Sequence, residues 1–145
     1  MSAAYVPVKP KFPAAAKKQT LQSAEVFVKY FYDLLNYAYT KPESGLIAPL
    51  GTISCGPCKY FENESTRLKR DDRRYQSKLV SLDYVTFSTT DLDKPWISVK
   101  GRQNKVSIVE PDGSLTAASP ATDFTLRLIH EASFRNCSPR TAVMV

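Results

Sequence analysis

Two periodicities divide the chain. From Leu21 to Tyr39, apolar residues recur at helical spacing, and Phe27, Phe31, Leu34, Leu35 and Ala38 fall on one face. Val26, Tyr30 and Tyr37 widen it. So broad an apolar face predicts a helix packed deep against something large, such as a curved sheet. Ser23 is the expected N-cap, and Glu25 places a negative charge in the first turn, where it suits the helix dipole. Pro42 stops the helix. Leu46, Ile47 and Leu50 suggest a short turn, broken by Pro49 and Gly51. A second helix is predicted from Pro57 to Arg74, because proline's missing amide hydrogen needs no partner at the first helical position. Its apolar seam is narrow: Cys58, Phe61 and Leu68, with Tyr75 at its end.

After residue 77 the period changes to two. Leu79 to Phe87, Trp96 to Lys100 and Lys105 to Glu110 read as strands, and Pro111-Asp112-Gly113 as a turn. A further strand runs from Phe124 to about Ala132, and Thr141 to Val145 gives a last one. Helices come first and strands follow, joined by short turns. That order predicts an α+β fold, with N-terminal helices covering the concave face of a curved antiparallel sheet.

Length adds one constraint: 145 residues suit a single domain, assigned to residues 20–145. Residues 1–19 alternate Pro, Lys and Ala around Pro7, Pro10 and Pro13 and read as a tail or linker. Charge follows the same division. Of the formal +6, Lys9, Lys11, Lys17 and Lys18 supply +4, and the other 16 basic residues face 14 acidic ones. A nucleic-acid reader gathers basic charge on a folded face among aromatics, so nucleic acid is not an expected partner. Arg67, Lys69, Arg70, Arg73 and Arg74, interleaved with Asp71 and Asp72, read as a solvated helix end. The apolar runs fall short of the ~18–20 residues that cross a bilayer. No charged stretch followed by a hydrophobic one opens the chain, so no signal peptide is read.

The nearest approach to a chemical motif is Cys55-Gly56-Pro57-Cys58-Lys59, identical to the thioredoxin active-site pentapeptide. A helix follows it, and a helix N-terminus lowers a thiol's pKa. The context disagrees. A thioredoxin places this motif just beyond a buried parallel strand, whereas Gly45 to Ser54 contains Pro49 and Gly51 and makes a poor central strand. Pro95 is the one candidate for a facing cis-proline, and its flanks do not match. The structural alternative is a Cys55–Cys58 disulfide capping the second helix, or a bridge from one of them to Cys137, which implies an oxidising compartment. Zinc would need His130 and Cys137 as further ligands, and their spacing does not support it. No metal and no cofactor are expected.

The stretch Ala24-Glu25-Val26-Phe27-Val28-Lys29-Tyr30-Phe31-Tyr32-Asp33-Leu34-Leu35-Asn36-Tyr37-Ala38-Tyr39, followed by a leucine-containing turn and a C-x-x-C pair heading a second helix, resembles a family of uncharacterised actinobacterial lipoproteins. The resemblance covers residues 22 to 130. It implies a nuclear-transport-factor-2-like cone, in which helices pack on a strongly curved antiparallel sheet. It also implies a lipid anchor upstream of Met1, with the tail as spacer from the outer face of the membrane. The region from Ser133 to Cys137 departs from the closing pattern of such cones, and Cys137 is an extra cysteine. No catalytic residue carries over.

The cone fold implied by the resemblance often holds a pocket, and some members are enzymes whose base is an inward Asp or an Asp–His pair. His130 shares a strand face with Phe124, Leu126 and Leu128, and Asp33 lies beside the aromatic face of the first helix. Tyr30, Tyr37, Tyr84 and Trp96 are further pocket candidates, although aromatics at these spacings are first of all core. With no catalytic constellation, the expected function is non-enzymatic binding of a small ligand or an envelope protein. The alternatives are a thiol oxidoreductase using Cys55 and Cys58, and an isomerase- or dehydratase-like cone enzyme.

Overall fold

The computed structural model describes residues 6–17, 21–50, 56–87, 96–129 and 142–144. The first helix, α1, spans Leu21–Thr40, within one residue of its predicted end. The Lys41 N–H bonds the Tyr37 carbonyl at 2.8 Å to close the last turn, and Pro42 follows. The helix also begins at the predicted Leu21, but not with the expected cap. Ser23 lies inside the helix and is buried, and no acid falls in the first turn.

The second helix, α2, spans Gly56–Arg70 and stops four residues before its predicted end. The cause is local. The Arg73 N–H bonds the Leu68 carbonyl at 2.9 Å, the Asp72 N–H bonds that of Lys69 at 3.2 Å, and Asp72 sits at φ 54°. This is a Schellman ending with an aspartate in the left-handed position that glycine usually takes. Arg73 and Arg74 therefore lie beyond the helix and are not part of its charged end.

Among the described residues seven strands follow: β1 Arg74–Tyr75, β2 Val80–Phe87, β3 Trp96–Gln103, β4 Val106–Val109, β5 Leu115–Ser119, β6 Thr122–Ile129 and β7 Ala142–Met144. Every pairing between these strands is antiparallel. The strands form two sheets, ordered β1-β4-β5 and β2-β3-β6-β7, where the periodicity predicts one. Yet one hairpin, with β3 and β4 on one arm and β5 and β6 on the other, runs through both and bends between them. Gln103 of β3 faces Thr122 of β6, and three residues on, Val106 of β4 faces Ser119 of β5, so the register continues across the gap. The ladder breaks there because Pro120 has no N–H to give it. At the far end, Gly113 takes φ +85° and its N–H bonds the Glu110 carbonyl at 2.9 Å, which closes the predicted turn.

The core forms where α1 crosses this bend. Phe27, Phe31, Leu34, Leu35 and Ala38 are all buried, as is the α2 seam at Cys58 and Leu68. They share one cluster with Ile47, Leu79, Val80 and Val106, and Phe61 and Tyr75 pack against it. A second cluster joins Ala24 and Val28 of α1 to Val85, Ile97 and Val99. Each large apolar side chain so enclosed contributes about 1.5–3 kcal/mol, so α1 is the main organising element. A loop is tied in as well: Glu62 of α2 accepts a 2.6 Å bond from the Gly45 N–H.

The N-terminal segment differs from the free tail expected over residues 1–19. Ala14–Lys17 forms a 3-10 turn with Ala16 buried against the core. The Phe12 ring meets Tyr30 edge-on at 5.2 Å and Phe27 at 6.3 Å. Aromatic contact and burial dock residues 12–17 on α1 despite their tail-like composition.

Candidate functional site

The polar side of α1 faces β2 across a cleft of about 580 Å³. Lys29, Tyr32, Asp33 and Asn36 line one wall, at the spacing that brings residues onto a single helix face. The other wall is Lys78 with Val80, Ser81, Leu82, Asp83, Tyr84 and Val85. β2 is an edge strand: among the described residues it pairs only with β3. Asn36 fixes how close helix and edge come. Its carboxamide donates to the Val80 carbonyl at 2.8 Å and accepts from the Val80 N–H at 3.0 Å.

Further along, a bulge between Leu82 and Tyr84 places Asp83 as the extra residue. Just before it, Leu82 pairs with Gly101. A Cβ there would meet the Ser81 carbonyl oxygen at 2.7 Å and the Phe124 ring at 2.8 Å. Glycine lets β3, the β2 edge and Phe124 approach so closely, and Phe124 in turn packs against Tyr32 at 6.2 Å.

The charged groups balance in sign, with Lys29 and Lys78 against Asp33 and Asp83. Burial raises the Asp33 carboxyl above its usual range, and the Lys78 charge opposes that rise. Burial pushes the Tyr32 phenol up to about 12. The cleft therefore offers a neutral phenol, an exposed tyrosine at Tyr84, and a carboxylate held in partial desolvation beside a lysine.

Of the residues predicted for a pocket, Asp33 and Tyr84 meet here. Tyr30 does not: it packs against Phe12 and Phe27. Tyr37 is buried and takes no part in the cleft wall. Trp96 opens β3 opposite Ile129, and its side chain lies outside the described residues, as does His130. Lys29, Tyr32, Asn36, Lys78 and Asp83 were not anticipated. Lys29 and Asn36 do carry a signal, since they lie four residues before and three after Asp33 on the helix.

Cys58 is buried at the start of α2 and is disulfide-bonded. Cys55 and Cys137, the two sulfurs that can partner it, lie outside the described residues. Among the described residues, no three His, Cys, Asp or Glu side chains come together as a metal site. None of the described helices is long and apolar enough to cross a membrane.

The architecture is that of an α+β domain whose long helix lies across a bent antiparallel hairpin. By sequence the chain belongs to a family of unknown function (DUF6318), whose model matches residues 2–134. The match includes the N-terminal segment docked on α1. No curated protein matches the sequence. Among solved structures, the intermembrane space region of the chloroplast protein ARC6 is similar at 14% identity and a TM-score of 0.50. The similarity covers 77% of this chain and 85% of that one, and it is a likeness of fold alone.

Proposed function

We propose that this chain is a non-enzymatic binding domain at the outer face of a cell membrane, held there by a lipid anchor. It takes a small ligand or a partner protein into the cleft between α1 and β2. The observation that carries the reading is the cleft itself, where two lysines, two aspartates and two tyrosines converge beside a strand edge that no other described strand pairs. A polar, charge-balanced opening of this kind supplies the polar groups that fix the orientation of a bound molecule. The continuous register through the bend at Pro120 supports a nuclear-transport-factor-2-like cone. The pattern along α1 and the cysteine pair heading α2 support the lipoprotein assignment and an oxidising compartment.

A thiol oxidoreductase is less well supported. Thioredoxin chemistry is staged on a parallel strand, and all strand pairs described here are antiparallel. An isomerase-like reaction has Asp33 in the cleft, while His130, the histidine that would pair with it, lies outside the described residues.

Ligand-detected NMR screening of the pure chain, with a pull-down from envelope extract, tests the proposal. Binders should be retained by the wild type and lost from Asp33→Asn and Tyr84→Ala. Turnover of a screened compound, or equal retention by both variants, overturns it.

A further inference from the structure

The outer edge of β2 already binds one amide. Asn36 bonds the N–H and the C=O of Val80 together, as a neighbouring strand would. Those two groups therefore point away from β3 and into the cleft. Backbone direction alternates with a period of two along a strand, so Leu82 turns its own N–H and C=O to the same side. Among the described residues no backbone bond reaches Leu82 from that side. An edge left open in this way is a template for a further strand.

From this the geometry points to an extended peptide segment of a partner protein as the occupant of the cleft, added to the β2 edge immediately beyond Asn36. This rests on the cleft being the binding site. Three features favour a peptide. The amide already seated on Val80 shows what chemistry the edge accepts. The paired signs of Lys29, Lys78, Asp33 and Asp83 leave the cleft without a net charge, which suits a neutral backbone better than a polyanion. Tyr32 and Tyr84 stand beside the edge as side-chain contacts for alternate residues of an added strand. The bulge at Asp83 keeps the paired stretch short, and Asn36 sets where it begins.

Selection of phage-displayed random dodecapeptides on the whole chain supplies the probe. The best binder is then made in two forms, unmodified and N-methylated at the backbone amide facing Leu82. The unmodified peptide should perturb the NMR signals of residues 80–85 and slow amide exchange at Leu82. N-methylation should weaken it at least about tenfold, since one unmade backbone bond in a desolvated site costs that much. Equal affinity of the two forms overturns the proposal, as does a selection that yields only binders elsewhere on the surface. Small molecules that perturb the cleft while no peptide does would retain the binding site and remove the peptide. Silence of the cleft toward both would remove the site as well. A concentration-dependent dimer through β2 in sedimentation would replace the partner with a second copy and likewise overturn the proposal.

Discussion

The Asn36 side chain and the Val80 backbone form a reciprocal amide pair, 44 positions apart in sequence and buried. It joins the helix that organises the core to the edge strand that walls the cleft. Replacing Asn36 with alanine strands a buried donor and a buried acceptor, each at about 1–3 kcal/mol. Asn36→Ala should therefore lose about 2–4 kcal/mol in urea unfolding, with the midpoint falling and the slope unchanged. A loss below about 0.5 kcal/mol would show that water satisfies Val80 without cost.

Gly101 tests the close approach of β3 to β2. An added Cβ meets the Ser81 carbonyl oxygen at 2.7 Å, and backbone cannot swing aside as a side chain can. Gly101→Ala should cost about 1–3 kcal/mol by overpacking. Calorimetry measures it, and an unchanged Tm would mean that the two strands separate freely at this point.

Asp72 gives a prediction of opposite sign. Its left-handed φ of 54° costs an L-residue roughly 1–2 kcal/mol. Glycine removes that strain but returns about 0.4–1 kcal/mol through the freer unfolded chain. Asp72→Gly should stabilise by about 0.5–1 kcal/mol in the same unfolding assay, and destabilisation would show that the carboxylate has a role outside the helix ending.

These three positions also show what was legible in the sequence. The helical period placed α1 almost to the residue, because Phe27, Phe31, Leu34 and Leu35 leave no other face to bury. It overran α2, because Arg73 and Arg74 continue a helix-friendly composition while Asp72 supplies the stop only through its backbone angle. β5 went unseen: Leu115–Ser119 is rich in alanine and polar residues, and it is a strand only because β4 pairs with it. β1 has two residues, too few for any period. The cleft was half legible. Asp33 and Tyr84 stand out as polar and aromatic groups beside apolar ones. Asn36 reads as an ordinary helix residue until Val80 is placed against it, and no local pattern reports a contact across 44 positions.

Arg73 and Glu110 link the end of α2 to the β4–β5 turn. The guanidinium meets the carboxylate at 2.8 and 2.9 Å, and the Thr116 hydroxyl adds a 2.8 Å bond. The Arg73 bonds, and then that of Thr116, hold the Glu110 carboxyl below its usual range. A folded-state value below the unfolded one means stability that is present above the unfolded value. It is lost as pH falls through the folded one. Glu110→Gln should therefore narrow the stability difference between pH 7 and about pH 3, a window that brackets the unfolded glutamate value of about 4.3. An acid limb identical to the wild type would assign that loss to other carboxylates.

The central claim is that binding occurs between α1 and β2, and NMR mapping of the labelled chain with its selected peptide tests it most directly. The account predicts shifted signals concentrated at residues 29–36 and 80–85, reduced in Asp33→Asn and Tyr84→Ala. Shifts centred instead on the exposed Tyr60, on Leu115 or on the N-terminal Val6 and Val8 would contradict it.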